Sequence, residues 1–162
     1  MNVIVIGGGK VGFYLCKTLL EHGHQPLIIE KNKRTCEYAS TQLDIPTINA
    51  DGSTIEALTA ANASRSDAVI AVTGLDQDNL ISCQLAKEIF HVPKTVARVN
   101  NPKNAAVMKK LGVDIPISST DNIARLLACW NARSTPPASR HCSRSTAARP
   151  HSMSCRFRTT TR

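Results

Sequence analysis

The chain has 162 residues, room for one domain of ordinary size rather than two. Its 42% hydrophobic content supports a buried core, and with 3 Phe, 2 Tyr and 1 Trp that core must be built from Val, Ile, Leu and Ala, which disfavours an aromatic-rich β-sandwich and suits a parallel sheet covered by helices. The formal net charge of +8 is unevenly spread: residues 1–127 hold 13 Lys+Arg against 12 Asp+Glu, whereas residues 128–162 hold 7 Arg and no acid, so the globular part is nearly neutral and nucleic acid is not an expected partner.

From residue 2 to about 127, short β-branched runs alternate with longer stretches of helical period, the pattern of six βαβ-type units. Asn2 to Ile6 predicts a buried strand directly behind Met1, with no basic n-region or cleavage site, and no window approaches the roughly 18 apolar residues of a membrane span. We therefore read a cytosolic protein. Lys10 to His22 predicts a helix with Val11, Leu15, Thr18 and Leu19 on its packed face, ended by Gly23. Strands follow over Gln25 to Glu30 and Pro46 to Asn49, and Ser53-Thr54 opens a helix over Ile55 to Ala60. Ala68 to Val72 is the fourth strand. The helix over Asp76 to Phe90 places Leu80, Cys83, Leu85 and Ile89 together, with Asp76, Asp78 and Asn79 read as capping residues. Thr95 to Val99 is the fifth strand, Asn101-Pro102 opens a helix over Lys103 to Leu111 that Gly112 ends, and Asp114 to Ile117 is the sixth strand.

The six cysteines, at 16, 36, 83, 129, 142 and 155, show no CxxC and no paired ligand spacing, so neither a disulfide framework nor a metal site is indicated. Cys16 and Cys83 read as small core residues. After Leu127 the sequence turns to Arg, Ser, Thr, Ala, Pro and Cys with no apolar period, which predicts a disordered tail over 128–162.

The first strand runs into Gly7-Gly8-Gly9-Lys10-Val11-Gly12, a GxGxxG opening a helix. Lying between a strand and a helix, it is a phosphate-cradling turn: one glycine for the bend, one for close approach to a pyrophosphate, one for helix packing. No GK[ST] follows, so a Walker A loop is ruled out. Glu30 ends the second strand 23 residues after Gly7, where a carboxylate accepts hydrogen bonds from a ribose diol. Lys31, Lys33 and Arg34 follow it, but Glu30 would repel a 2′-phosphate, which favours an unphosphorylated ribose. Together these features specify an α/β fold, a Rossmann-like doubly wound parallel sheet of about six strands, whose ligands lie at the carboxyl ends of the strands. Asp51-Gly52, Thr73-Gly74 and Arg98 fall at three such ends. Lys10 stands where a cation meets phosphate, or an exposed first-turn lysine does nothing; Asp51 either contacts adenosine or makes a turn; Arg98 meets a phosphate or a neighbouring carboxylate.

Signs of catalysis are few. Tyr14 and Lys17 are three apart rather than four, Tyr38 has no Lys four residues on, and His22, His24 and His91 sit at helix ends, where a helix dipole favours a cation.

The stretches MNVIVIGGGKVG, INADGS, VTGLDQDNLISCQLAK, ARVNNP and LGVDIPIS together resemble the TrkA N-terminal (KTN or RCK_N) family of potassium-transport regulators, over residues 1 to about 127. The resemblance implies a cytosolic, non-enzymatic regulatory subunit of a Trk or Ktr potassium uptake system, homo-oligomeric as a dimer or ring. It would sit against a membrane potassium transporter subunit at the inner face of the cell membrane, with NAD(H) or ATP/ADP in the cleft gating transport. The cofactor-binding set is Gly7, Gly8, Gly9, Lys10, Val11, Gly12, Glu30, Lys31, Asp51, Gly52, Thr73, Gly74 and Arg98: the glycine turn and Lys10 for phosphates, Glu30 for ribose, Asp51 and Gly52 for the adenosine side, Arg98 for the phosphate end or a subunit contact. Family members continue into a smaller C-terminal ligand domain, and here the pattern stops near Leu127, so a truncated regulator is expected. The alternative is the cofactor-binding fragment of an NAD-dependent oxidoreductase. The all-Arg, acid-free composition after 127 is read as translation out of frame or otherwise aberrant sequence; a one-base slip near codon 128 in the coding DNA is the expected finding, and an uninterrupted frame there would overturn it.

Overall fold

Parallel strands can be joined only by long crossovers, so apolar runs separated by helical stretches must close into one sheet with helices on its faces. The computed structural model of the chain describes residues 1–124 and shows this arrangement. Its strands are β1 (Asn2–Ile6), β2 (Gln25–Glu30), β3 (Thr47–Asn49), β4 (Ala68–Ala71), β5 (Thr95–Arg98) and β6 (Ile115–Ile117). Its helices are α1 (Lys10–Glu21), α2 (Lys33–Leu43), α3 (Ile55–Ala60), α4 (Asp76–Glu88) and α5 (Ala105–Lys110), with short 3₁₀ turns at Ala63–Arg65 and Pro102–Asn104. All pairings are parallel and the strand order is β3-β2-β1-β4-β5-β6. The order reverses beside β1, where Val5 lies opposite Ile28 of β2 on one side and Ile70 of β4 on the other.

The pleat sends alternate side chains of one strand into two separate cores. Val3 and Val5 join Ile28, Cys16 of α1 and Ala39 of α2 on one face, whereas Ile4 and Ile6 join Val69, Leu58 of α3, Cys83 of α4 and Met108 of α5 on the other. The strands of the sheet centre are therefore apolar at consecutive positions, as the sequence shows. Burial pushes the Cys16 and Cys83 thiols up to about 12, so both act as core-filling groups.

Two predicted faces are corrected. In α1 the fully buried positions are Gly12 and Cys16, while Val11 is exposed toward the carboxyl end of the sheet and Thr18 is exposed with its hydroxyl donating to the Tyr14 carbonyl. In α4 the buried stripe is Asn79, Ser82, Cys83 and Ala86, and Ile89 is 46% exposed. Strand and helix ends fall within one or two residues of expectation except at the fifth helix, whose first turn is 3₁₀ because Pro102 follows an Asn101 cap. The helix α2 is unpredicted; its signal is Asn32, whose side chain accepts from the Arg34 and Thr35 N–H groups. Gly23 (φ +74°) and Gly112 (φ +99°) end α1 and α5 as expected. The domain boundary at 127 and the expected tail lie outside the described residues.

One polar staple locks β6 to the core. Asp114, just before β6, accepts from Lys87 of α4, from the Thr95 N–H at 2.9 Å and from the Thr95 hydroxyl at 3.0 Å. Partial burial disfavours its charge, but the Lys87 and Thr95 bonds outweigh that and hold the carboxyl below its ordinary value. A carboxylate with a depressed folded-state pKa stabilises fully above its unfolded pKa, near 3.9, and loses that contribution as pH falls through the lower folded value. Asp114→Asn is therefore expected to cost about 1–2 kcal/mol at neutral pH and to flatten the fall in melting temperature below about pH 4; thermal melts against pH check this, and an unchanged slope would contradict it.

Candidate functional site

The site begins at the turn leaving β1. Gly7 has φ +104° and donates its N–H to the Ile29 carbonyl at 2.9 Å, a conformation that turns the chain across the end of the sheet. A Cβ on Gly12 would sit 1.8 Å from the Gly7 carbonyl oxygen, so α1 lies this close to the turn only because residue 12 is glycine. The α1 N-cap, Gly9, has no side-chain cap, and the first-turn N–H groups are left for an outside acceptor.

Around that helix start the carboxyl ends of β1 to β5 enclose a cleft of about 420 Å³, within the range of small-ligand sites. Eleven of the thirteen predicted residues line it: Gly7, Gly9, Lys10 and Val11 on one wall, Glu30, Lys31, Asp51 and Gly52 at the β2 and β3 ends, and Thr73, Gly74 and Arg98 at the β4 and β5 ends. Gly8 and Gly12 do not line it. The Gly8 N–H donates to Glu30 Oε2 at 2.5 Å, and a Cβ there would lie 3.2 Å from the Glu30 side chain. Gly8 and Glu30 are thus matched to one another, and the second glycine of the run serves the carboxylate rather than a ligand directly.

Glu30 also accepts from the Asn32 N–H at 2.7 Å, so each of its oxygens holds one main-chain donor and keeps acceptor capacity toward the cleft. Asp51 makes the turn that the sequence left open: its Oδ1 accepts from the Ser53 N–H at 3.0 Å and the Ser53 hydroxyl at 2.6 Å. Lys31 reaches across from β2 to Asp51 Oδ2 at 3.3 Å. The Ser53 bonds, more than the exposed Lys31, hold the Asp51 carboxyl below its ordinary value. Gly52 packs tightly, its missing Cβ only 2.2 Å from Ile6 Cγ2.

The positive groups are differently placed. Lys10 is exposed and Arg98 half-buried, and neither makes an ion pair among the described residues. Gly9 and Gly74 differ from the packed glycines: neither has a positive φ, and a Cβ on either would meet nothing within 4 Å. Nothing in the described chain itself requires glycine at these two cleft positions.

The capping role expected of Asp76, Asp78 and Asn79 is not what these residues do. The α4 N-cap is Leu75, without a side-chain cap, and the Asp76 carboxylate accepts instead from the Asn100 N–H at 2.7 Å, the Asn101 N–H at 3.1 Å and the Asn104 side chain at 2.7 Å. Partial burial works against its ionisation, but these bonds prevail and keep its carboxyl below the ordinary value. Asp78 and Ser82 of α4 line the cleft, a placement that a one-letter pattern does not reveal. Two other depressions are present: one of about 520 Å³ under the amino ends of β1 to β3 is largely apolar, and one of about 600 Å³ between α1 and α2 adjoins the glycine turn and is lined by Phe13, Tyr14 and Tyr38 together with Lys10 and Arg34. Among the described residues no helix is long and apolar enough to cross a membrane, and no group of three or more His, Cys, Asp or Glu is placed to hold a metal ion.

Comparison with known proteins places the chain in a family. The chain is 41% identical over 118 residues to a Trk system potassium uptake protein TrkA homolog of Methanothermobacter thermautotrophicus, covering 73% of this chain and 54% of the relative. It is 34% identical over 131 residues to the Trk system potassium uptake protein TrkA of Mycobacterium tuberculosis, covering 78% and 58%. The chain thus matches little more than half the length of these relatives. Among solved structures, the TrkA-N domain of inner membrane protein ybaL from Escherichia coli superposes with a TM-score of 0.73 at 16% identity, covering 80% of this chain and 95% of that one. A Kef C-terminal domain from Shewanella denitrificans in AMP-bound form gives 0.67 at 21% identity, covering 83% of each, and a GsuK channel bound to NAD gives 0.65 at 15%, covering 72% and 21%. At these identities the structures show a shared fold. The profile of the TrkA-N domain matches residues 3–119, and the chain belongs to the TrkA-N domain family.

Proposed function

We propose that this chain is a nucleotide-sensing, non-enzymatic regulatory unit of a Trk or Ktr type potassium uptake system, taking NAD(H) or ATP/ADP in the cleft described above. The observation that carries the reading is the pair Gly9 and Gly74. Both are glycine where the surrounding protein would accept a side chain, and both stand on the cleft wall with Lys10 and Arg98, which have no ion-pair partner among the described residues. A glycine that neither conformation nor packing demands is explained by close approach of a bound group, and the flanking cations and the α1 N-terminus make that group an anion. Glu30, with acceptor capacity left, suits a ribose diol and opposes a 2′-phosphate.

The relatives named as Trk potassium uptake proteins support the assignment to potassium transport, and the neighbours bound to NAD and AMP support an adenine nucleotide as the ligand. On this reading the protein works in the cytoplasm, as a homo-oligomer against a membrane potassium transporter subunit. A nucleotide with different affinities for two assembly states biases the transporter by that difference alone. The thirteen residues predicted from sequence are the proposed site, with Gly8 and Gly12 acting through the shape of the turn.

Calorimetric titration of the full chain with NADH, NAD, ATP and ADP, beside a sizing column, is expected to show binding of at least one of them and a ligand-dependent change in oligomer size. Binding of none would overturn the reading, and hydride transfer from NADH would replace it with that of an oxidoreductase fragment. Gly9→Ala is expected to keep the fold and lower the melting temperature by no more than corresponds to the roughly 0.5–1 kcal/mol that alanine costs at a helix N-cap, while lowering nucleotide affinity tenfold or more, about 1.4 kcal/mol. Gly12→Ala, by contrast, is expected to prevent stable folding; a folded Gly12→Ala protein of ordinary melting temperature would contradict the packing argument.

A further inference from the structure

A fully buried polar side chain persists only with its hydrogen-bonding groups satisfied, so it pins the main chain that satisfies it. Asn79 of α4 is 0% exposed and does not line the cleft. Its Oδ1 accepts from the Thr73 N–H at 2.8 Å and from the Thr73 hydroxyl at 2.7 Å. Its Nδ2 donates to the Thr73 carbonyl at 3.3 Å and to the Arg98 carbonyl at 2.9 Å. One amide therefore joins the main chain just past β4 to the end of β5, and the two residues it joins, Thr73 and Arg98, both face the cleft.

Resting on the reading of the cleft as a nucleotide site, we propose that Asn79 is the positioning residue of its phosphate end: it holds the Arg98 main chain against Thr73 and so aims the Arg98 guanidinium at the anion without touching it. The Arg98 side chain has no ion-pair partner among the described residues, so its aim depends on where its own backbone is held. Asp76, three residues earlier on α4, holds the following segment through the Asn100 and Asn101 N–H groups. The main chain from 98 to 101 is thereby clamped to one helix. A guanidinium at the end of a long stem magnifies a small backbone rotation, and displacements of about 1 Å at a binding group cost as much as 10²-fold.

Asn79→Asp preserves the shape and replaces the donating amide with an oxygen facing two carbonyl oxygens. The full chain, as wild type, N79D, R98Q and the double variant, is titrated with adenosine and with ADP. Adenosine affinity is expected to stay within about twofold in N79D while ADP affinity falls about tenfold or more, and N79D added to R98Q should cost no further ADP affinity, because both act through one guanidinium. Asp114→Asn, which weakens the fold far from the cleft, should lower the melting temperature without changing the ratio of ADP to adenosine affinity. The proposal is overturned by N79D binding ADP as wild type does, by equal losses for adenosine and ADP, or by additive losses with R98Q. A wild type that binds none of adenosine, ADP, ATP, NAD and NADH would overturn the nucleotide reading instead, and one that binds NADH but not ADP is put through the same comparison with NADH in place of ADP. Should N79D fail to fold, Asn79→Ser, neutral and smaller, goes through the same comparison and the same outcomes decide.

Discussion

The helix α1 rests against the turn leaving β1 because Gly12 presents no side chain to the Gly7 carbonyl. Much of the molecule depends on that contact. It sets the start of α1 directly over the carboxyl end of the central strand, beside the point where the strand order reverses between β1 and β4. Crossovers to β2 and β3 leave on one face and those to β4, β5 and β6 on the other, so the chain parts above β1 and leaves a gap that side chains do not fill. The helix N-terminus points into this gap, and a positive local field there follows from topology before any charged residue is counted.

Polar bonding then shapes the walls of the gap. On the β2 side Glu30 grips the Gly8 and Asn32 N–H groups, Asp51 closes on Ser53, and Lys31 spans between them. On the β5 side α4 supplies Asn79 and Asp76, which hold the ends of β4 and β5 and the loop after them. Of the wall acids, Glu30 and Asp51 are engaged by the protein's own donors, while Lys10 and Arg98 are left without ion-pair partners among the described residues. With three acids and three cations on the walls, what favours an anion is the α1 N-terminus with Lys10 beside it and Arg98 across the cleft. The exposed Lys31–Asp51 pair contributes little to stability, since pairs in water are screened and costly in side-chain entropy; its place at the cleft mouth matters more.

The strands and most helices were legible because burial on both faces forces continuous Val, Ile and Ala runs, and because Gly and Asn mark the turns between them. The same holds for the glycine turn, Glu30 and the residues just past β3 and β4, since a doubly wound sheet gathers its strand ends at one edge whatever its details. What failed to show was the packed side of α4 and the purpose of its polar residues. Asp76 and Asn79 are types that cap helices, and only contact with residues about 20 further along the chain reveals that Asn79 binds the end of β5 and Asp76 the loop after it. Hydrophobic period misassigned Val11, Thr18 and Ile89 for a related reason, because a helix lying close to its sheet buries small residues such as Gly12, Cys16 and Ala86 in place of large ones.

The sequence by itself therefore determined the fold class, the phosphate-type turn and the set of strand ends that face one another, because those follow from local backbone needs and the two periodicities of side-chain direction. The tertiary structure alone decided which glycines serve packing and which leave room, that Gly8 is shaped by Glu30, and that Arg98 is held through Asn79. Each of those depends on a distance between residues far apart in the chain, and spacing along a sequence carries no such distance.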